Sequence, residues 1–332
     1  MSENSEISWT HHTANFWSGC SKVSAGCANC YAAALPPSMR RGAVWGDGQE
    51  RVLASDSYWG QPLKWNAKAL AAKERHRVFA HSTSDVFEDL DALDPWRDRL
   101  LCLTQFTRGG LDWLLLTKRP EKALRYLTDP GLYDRLLVAA HWWRQRWPEL
   151  GMSPIDNPQP SSFHVWYPNV WIGASVEDQR AADERIPVLL QVPARVRFLS
   201  MEPLLGFVNI CAGLFTQPPE GEPDESPEAG GMWTGPRTLG AAGLSWVIAG
   251  GESGPRARPM NVSWVRGVRD QCVAAGVPFH FKQWGEWAPD WYRDDDAPPG
   301  TPWKQAEESM SKVGKKFSGR ELDGRTWDEV PR

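Results

Sequence analysis

The sequence predicts an α/β protein built on a partial or complete parallel β/α barrel of six or seven strands, formed by a single domain over residues 1–332. Short apolar runs rich in Val, Ile, Leu, Phe and Trp alternate along the chain with amphipathic helical patterns. This alternation is typical of parallel sheets with helical crossovers. Six or seven such units favour a barrel, and a doubly wound sheet is the alternative.

Each apolar run that we interpret as a strand ends in polar or glycine residues. The predicted strands are residues 14–17, 77–82, 112–117, 169–174, 195–200, 245–250 and 278–283. Helical patterns occupy residues 66–75, 95–108, 120–128, 178–190 and 262–275, and the last of them is expected to stop at Gly276. The order strand, loop, helix therefore repeats along most of the chain.

Two segments interrupt this order and are predicted to be surface insertions, while a third closes the domain. The first insertion, at about 141–168, contains Trp142, Trp143, Trp147 and Trp166 and is expected to pack on the domain. The second, at about 211–243, is rich in Pro and Gly, which indicates a long surface loop. A carboxyl-terminal cap is expected at about 304–332.

Composition and charge exclude several classes of protein. A chain of 332 residues buries enough apolar surface to fold without disulfides. It has no run of about 18 apolar residues and no secretory amino terminus, so we expect a cytoplasmic protein without a membrane span. The net charge of −4 provides no global attraction for nucleic acid, so such a partner would need a local basic groove.

The residues that follow the predicted strands are mostly hydroxyl, charged or glycine residues. Because the loops at the carboxyl ends of parallel strands build the active site, we expect a polar pocket there rather than helix caps alone. These residues are Ser82, Ser84, Asp85, Thr117, Lys118, Arg119, Ser175, Glu177, Ser200, Glu202, Gly250, Gly251, Glu252, Ser253, Lys282 and Gln283. Lys118, Arg119 and Lys282 are candidates to bind an anionic substrate, with Asp85 and Gln283 as further substrate-binding residues.

Three of the six cysteines lie within eleven residues, in the spacing Cys20-x6-Cys27-x2-Cys30 directly after the first predicted strand. Such a trio indicates metal binding rather than disulfides, because thiols stay reduced in the cytosol. Three thiolates leave one iron of a four-iron, four-sulfur cluster without a protein ligand, and that iron can bind the amino and carboxyl groups of S-adenosylmethionine. We therefore expect Cys20, Cys27 and Cys30 to hold such a cluster.

Two alternatives use the same cysteines. In the first, a zinc ion is held by the three thiolates and one imidazole, with His11 or His12 as the fourth ligand. The chain would then be a non-catalytic module that binds nucleic acid or a partner protein. In the second, the cluster is a structural or redox-sensing element that cleaves no cofactor.

Motifs that run nearly from end to end of the chain resemble those of one known family. Besides the trio they are VFEDL, LLLTKRP, VWIGASVE, FLSMEPLLG, WVIAGGESG, ARPM, VPFHFKQWGEW and GRELDGRTWDEVP. In this order they are similar to a phage-associated family of three-cysteine radical S-adenosylmethionine-like proteins of unassigned function. The resemblance implies a partial, TIM-barrel-like fold, an iron-sulfur cluster on Cys20, Cys27 and Cys30, and S-adenosylmethionine bound near the cluster.

Together these observations predict a radical enzyme. The 5′-deoxyadenosyl radical would abstract hydrogen from a phosphate-bearing substrate, a nucleotide or nucleic acid, and an electron donor of the flavodoxin or ferredoxin type would reduce the cluster. Glu252 is expected to receive the amino group of S-adenosylmethionine, with Glu202 or Asp85 as the alternative. No residue is assigned as the catalytic one. The candidate cofactor-binding residues are Tyr31, Ser200, Glu202, Gly250, Gly251, Glu252 and Ser253.

Overall fold

The computed structural model describes residues 3–150, 163–211, 243–290 and 309–331. Within them, seven parallel strands form one open sheet that curls into a half-barrel, and each strand pairs with the next along the chain. The strands are β1 (His12–Thr13), β2 (His76–Ala80), β3 (Leu111–Thr117), β4 (Val170–Ser175), β5 (Val196–Met201), β6 (Trp246–Gly250) and β7 (Phe279–Gln283). The prediction of an α/β fold with a partial parallel barrel is confirmed at this level.

Helices connect the parallel strands, as a sheet of this kind requires. The longer helices among the described residues are α1 (Gln61–Ala72), α2 (Asp94–Phe106), α3 (Pro120–Leu127), α4 (Leu132–Arg146), α5 (Gln179–Leu189) and α6 (Val262–Ala275). Asp178 caps α5 by accepting a 2.8 Å hydrogen bond from Ala181 N, and Gly276 ends α6 with a φ of 63°. The predicted stop at Gly276 is therefore confirmed. Single-turn helices occur at Tyr31–Ala34, Asp56–Trp59, Phe163–Trp166 and Lys315–Ser318.

The two faces of the sheet carry different sets of apolar side chains because successive residues of a strand point to opposite sides. On the face covered by helices lie Trp113 and Leu115 of β3 and Val247 of β6. The inner face of the half-barrel holds a second cluster, formed by Trp9, Phe79, Leu114, Trp171, Val196, Phe198, Trp246 and Ile248. Large aromatic side chains thus fill the inside of the half-barrel.

The first strand, predicted near residues 14–17, begins two residues earlier in the chain. The strand that joins the sheet is β1, and Trp17–Ser18 instead pairs antiparallel with Val52–Leu53. Ala14, Phe16 and Trp17 have no exposed surface. Ala14 N donates a 2.9 Å hydrogen bond to Phe79 O of β2, whereas the apolar pattern of Phe16 and Trp17 reflects burial in the core.

The predicted first insertion, at about 141–168, begins inside a helix that the sequence patterns did not predict. Its first residues belong to α4, which begins at Leu132. Leu132, Leu136 and Trp143 of this helix are buried, and α4 packs on α2. Of the predicted second insertion at about 211–243, all but residues 211 and 243 lies outside the described residues.

The described part of the carboxyl-terminal cap covers the edge of the sheet at β7. Phe281 N donates a 3.0 Å hydrogen bond to Trp327 O, and Trp246 Nε1 donates to Glu329 O at 2.8 Å. An antiparallel pair, Trp287–Pro289 with Met310–Lys312, and a hairpin, Glu321–Leu322 with Arg325–Thr326, flank this contact. Among the described residues, no helix has both the length and the apolar character needed to cross a membrane.

Candidate functional site

A cavity of about 120 Å³ lies at the carboxyl ends of β2, β3 and β4. We call it the cysteine cavity, because Cys20, Cys27 and Cys30 all line it. Eight other residues predicted from the sequence line it too: Tyr31, Ser82, Ser84, Asp85, Thr117, Lys118, Arg119 and Ser175. The convergence follows from the topology, since the carboxyl ends of neighbouring parallel strands meet at one edge of the sheet.

The three cysteines are free thiols on an irregular segment, residues 20–30, which we call the cysteine loop. Cys27 is buried, whereas Cys20 and Cys30 are partly exposed. Burial, together with the neighbouring carboxylates of Asp85 and Glu88, raises the pKa of the Cys20 thiol to about 12. Arg119 acts in the opposite direction, with its Nη1 4.0 Å from Cys20 Sγ.

Glu88 anchors the start of the cysteine loop. Its Oε1 accepts hydrogen bonds of 2.7 Å from both the backbone N and the hydroxyl of Ser21, the residue after Cys20. Arg51 neutralises the charge of Glu88 in a buried ion pair, with 2.6 Å between Arg51 Nε and Glu88 Oε2. Burial raises the pKa of Glu88, but the contacts with Arg51 and Ser21 outweigh it and hold the pKa below its usual value. A charged Glu88 therefore fixes the backbone next to Cys20.

Glu177, which has no exposed surface, anchors the middle of the cysteine loop. It accepts hydrogen bonds from the hydroxyl of Ser24 and, at 3.2 Å, from the backbone N of Gly26. Lys118 Nζ lies 3.2 Å and Arg185 Nη1 2.9 Å from its Oε2. Burial raises the pKa of Glu177, but the two cations and the two hydrogen bonds lower it to about 2.

Glu252 anchors the end of the cysteine loop. Its Oε2 accepts a 3.2 Å hydrogen bond from Asn29 Nδ2, next to Cys30. Arg258 donates to the same carboxylate from its backbone N and from two guanidinium nitrogens, at 2.7 to 2.9 Å. Each cysteine thus has a neighbouring residue held by a different buried carboxylate, and arginine neutralises each of these carboxylates.

Asp85, which follows β2, organises the residues that follow β3. It accepts hydrogen bonds from Thr117 Oγ1 at 2.6 Å and from Lys118 N at 3.0 Å, and it pairs with Arg119 Nη1 at 2.9 Å. Arg119 Nη2 also donates to Ser21 Oγ at 2.7 Å. Both predicted substrate-binding cations at this edge, Lys118 and Arg119, therefore face the cavity while paired with a carboxylate.

The remaining predicted site residues form a second polar cluster at the carboxyl ends of β5, β6 and β7, outside the lining of the cysteine cavity. Lys282 Nζ lies 3.0 Å from Glu202 Oε1, and Ser200 Oγ donates to Glu202 Oε2 at 3.4 Å. Gln283 Nε2 donates to Ser253 Oγ at 2.8 Å. Glu252 joins the two regions, because it belongs to the loop after β6 and holds Asn29 of the cysteine loop.

Two glycines allow the close packing of this second cluster. A Cβ on Gly250 would lie 2.8 Å from Glu202 Oε1, and one on Gly251 would lie 1.9 Å from Trp284 O. Both are far closer than van der Waals contact. Gly250 and Gly251 thus let neighbouring protein atoms approach the backbone closely, while their role in cofactor binding stays a prediction.

The two histidines expected as the fourth zinc ligand, His11 and His12, do not line the cysteine cavity. His11 stacks on His76 at 4.8 Å, and His12 Nε2 lies 3.0 Å from His76 Nδ1, at the amino end of β2. The expectation that His11 or His12 could join the cysteines is wrong. The histidine that lines the cavity is His81, and its two ring nitrogens contact Ser84 Oγ and Phe16 N.

The donor set of the cavity fits a group that takes three thiolates. Cys20, Cys27 and Cys30 face one space, and Arg119 and Lys118 supply positive charge beside them. In the described part of the chain, no three His, Cys, Asp or Glu side chains form a group that could hold one metal ion. An iron-sulfur cluster instead binds each thiolate on a different iron.

Sequence reasoning missed the anchoring role of the carboxylates. It identifies Glu177 only as a polar residue after a strand, and it does not single out Glu88 or Asn29. Two of the three carboxylate–arginine ion pairs join residues that are close in sequence, since Arg185 follows Glu177 by eight residues and Arg258 follows Glu252 by six. A local sequence pattern could therefore have indicated them. The pair of Glu88 with Arg51 carries no such signal because it joins distant parts of the chain.

Comparison with known proteins identifies a family but no activity. The sequence model of a family described as “Protein of unknown function (DUF5131)” matches residues 4–331, almost the whole chain. No curated protein and no solved structure matches the chain.

Proposed function

The chain belongs to the DUF5131 family of proteins of unknown function, and we propose that it is a radical S-adenosylmethionine enzyme with a four-iron, four-sulfur cluster on Cys20, Cys27 and Cys30. The observation that carries the proposal is that these thiols line one cavity at the carboxyl ends of a parallel half-barrel sheet. The resemblance of the sequence motifs to those of phage-associated, three-cysteine radical S-adenosylmethionine-like proteins agrees with this proposal. When bound, the cluster supplies the electron that cleaves S-adenosylmethionine into methionine and the 5′-deoxyadenosyl radical.

The protein's part is to hold the cysteine loop ready for the cluster. Glu88, Glu177 and Glu252 fix residues next to each cysteine, so little conformational entropy is lost when the thiolates bind metal. Arg119 near Cys20 opposes the rise of the thiol pKa that burial causes, and in this way it favours the thiolate that a metal requires. In metal sites, residues beside the ligands commonly hold those ligands in the orientation that the metal requires.

We assign the amino group of S-adenosylmethionine to Glu202 rather than to Glu252. The carboxylate of Glu252 already accepts four hydrogen bonds, from Asn29 and from Arg258. Within the described ranges, the polar contacts of Glu202 are those with Ser200 and Lys282. Glu202 and Lys282 together offer the opposite charges that the amino and carboxylate groups of a methionine require.

A cytoplasmic location and a flavodoxin- or ferredoxin-type electron donor belong to the same proposal. Thiolate ligands need reducing surroundings, and a cluster needs an electron from a protein of low potential. The substrate is assigned to the phosphate-bearing class because Lys118 and Arg119 line the cavity. Both cations are paired, so an anion would have to displace Glu177 or Asp85 from them.

Metal and sulfide analysis of protein purified without oxygen tests the proposal. We expect about four irons and four sulfides per chain and a brown protein, by the composition of such a cluster. S-adenosylmethionine and dithionite should then yield 5′-deoxyadenosine and methionine, measured by mass spectrometry. A colourless protein with one zinc, or a brown one that releases no 5′-deoxyadenosine, would contradict the proposed enzyme.

A further inference from the structure

Exposed cations form a surface that runs from the cysteine cavity to the carboxyl-terminal segment. We call this surface the basic strip, and it consists of Lys22, Arg256, Lys312, Lys315 and Lys316, all of them exposed. In the part of the chain that the structure describes, no carboxylate oxygen lies within 4.0 Å of any of their charged nitrogens. Lys118, Arg119 and Lys282 differ from them, because each forms an ion pair.

Hydrogen bonds show that the first three members are neighbours. Lys22 belongs to the cysteine loop and lines the cavity. Asn29 Nδ2 donates to Arg256 O at 2.8 Å, which places Arg256 beside the same loop. Lys312 Nζ donates to the carbonyl of Pro255, directly before Arg256. The strip therefore begins at the mouth of the cavity.

The last two members are held beside the first three by the segment that carries them. Gly314 N donates a 3.0 Å hydrogen bond to Glu286 O, and the side chain of Glu286 accepts one of 3.0 Å from Gly254 N. Lys315 and Lys316 follow directly in a single helical turn. The carboxyl-terminal segment is thus docked on the loop that contains Arg256.

Among the residues that the structure describes, the two acidic groups bonded beside the strip are occupied or partly buried. Glu252 is buried and neutralised by Arg258, and Glu286 is partly buried and bonded to Gly254. In the described part of the chain the strip therefore carries positive charge that no carboxylate neutralises, although the whole chain has a net charge of −4. A local positive surface of this kind is the pattern expected of a confined site for a polyanion. Phe317, next to Lys316, is 77% exposed and offers an aromatic face on which an unpaired base can stack.

We propose that the basic strip binds the phosphate backbone of a single-stranded nucleic acid and leads it to the mouth of the cysteine cavity. A single strand fits better than a duplex, because only unpaired bases present a free face to Phe317. That the bound strand is also the substrate rests on the proposed radical function, whereas the binding itself does not.

Fluorescence anisotropy with labelled single-stranded DNA and RNA of about 20 nucleotides, long enough for a binding site of this kind, tests the inference. The triple variant Lys312→Ala, Lys315→Ala, Lys316→Ala should bind at least about tenfold more weakly at low salt. The slope of log K against log salt should become shallower by about 0.7 for each phosphate that the variant no longer neutralises. Thermal melting of the variant should match the wild type, because all three side chains are exposed.

The matched control removes three exposed charges elsewhere, in the variant Lys64→Ala, Arg108→Ala, Arg195→Ala. It should bind as the wild type does. The inference is overturned if the wild-type protein shows no salt-dependent binding, if the strip variant binds like the control, or if polyglutamate displaces the strand as well as polythymidylate does.

Metal analysis and 5′-deoxyadenosine release, measured on the same preparations, separate this inference from the proposed function. Strand binding by a protein without iron would support the basic strip and contradict the radical function. Cleavage of S-adenosylmethionine by a protein that binds no strand would support the radical function and overturn the inference about the basic strip. The strip variant should keep its iron, because none of its three substitutions touches the cysteine loop.

Discussion

Glu177 Oε1 accepts a 3.2 Å hydrogen bond from the backbone N of Gly26, the residue before Cys27, although the two residues are 151 positions apart in the chain. The contact places a fully buried carboxylate directly under the cysteine loop. A charge in such surroundings needs partners, and Lys118 and Arg185 supply them. The geometry of the cysteine loop is thus coupled to residues that lie far from it in the sequence.

Replacement of any cysteine of the trio should abolish metal binding. Cys20→Ser, Cys27→Ser and Cys30→Ser each remove one of three ligands, so we expect iron per chain to fall to near zero and the brown colour to disappear. Cys211→Ser is the matched control, because Cys211 is a partly exposed free thiol whose contact is Gln271. Iron retained in a trio variant would contradict the ligand assignment.

Replacement of His12 should leave the metal content unchanged. His12 lies against His76 and stacks on Trp65 at 4.5 Å, away from the cysteine cavity. We expect His12→Ala to lower thermal stability because packing against Trp65 is removed, while iron and zinc, measured by mass spectrometry, stay at wild-type values. A variant that loses its metal but keeps its helical circular dichroism would revive the zinc alternative.

Loss of the Glu177 charge should change how stability depends on pH. The folded pKa of about 2 lies below the ordinary 4.5, so the charged form contributes up to about 3 kcal/mol to folding. This contribution is complete above about pH 4.5 and is lost as the pH falls towards 2. The difference in unfolding free energy between wild type and Glu177→Gln should therefore shrink below pH 4.5, as measured by urea denaturation. A difference in unfolding free energy that does not change with pH would contradict the lowered pKa of Glu177.

Removal of one anchoring carboxylate should expose the thiol next to it more than the others. In metal-free protein, Glu252→Gln should speed iodoacetamide labelling of Cys30, and Glu88→Gln that of Cys20. A rise of about fivefold is expected where one hydrogen bond of about 1 kcal/mol is removed. Peptide mass spectrometry reads each cysteine separately. Equal acceleration at every thiol in both variants would indicate general unfolding and not local anchoring.

A side chain at Gly251 should destabilise the fold. Its Cβ would meet Trp284 O at 1.9 Å, and backbone atoms cannot move aside without disturbing β7, so Gly251→Ala should cost about 3 kcal/mol or more. Gly206→Ala is the control, because a Cβ there meets nothing within 4 Å. Thermal melting compares the two. Equal melting temperatures would show that the loop after β6 is looser than described.

Local patterns predicted much of the fold and part of the site. Apolar runs placed β2 to β7 within about two residues of their observed bounds, because buried parallel strands are short and continuous in sequence. The helix α4 was missed, although Leu132, Leu136 and Trp143 repeat at helical spacing, because the tryptophans favoured the interpretation as an insertion.

The position of the histidines could not be predicted from spacing alone. His12 and Cys20 are eight positions apart in the sequence, and an extended chain of that length reaches about 26 Å. The segment between these two residues runs from the amino towards the carboxyl end of the sheet. His12 and Cys20 therefore lie far apart although they are close in sequence.

The sequence by itself determined the alternating α/β architecture and the shared cavity of Cys20, Asp85, Lys118 and Arg119, because strand patterns are local and parallel strands bring their carboxyl ends to one edge. Only the tertiary structure decided which charges are already paired and which remain exposed. Pairs such as Glu88 with Arg51 and Glu177 with Ser24 depend on through-space distances between remote segments, which no local pattern encodes.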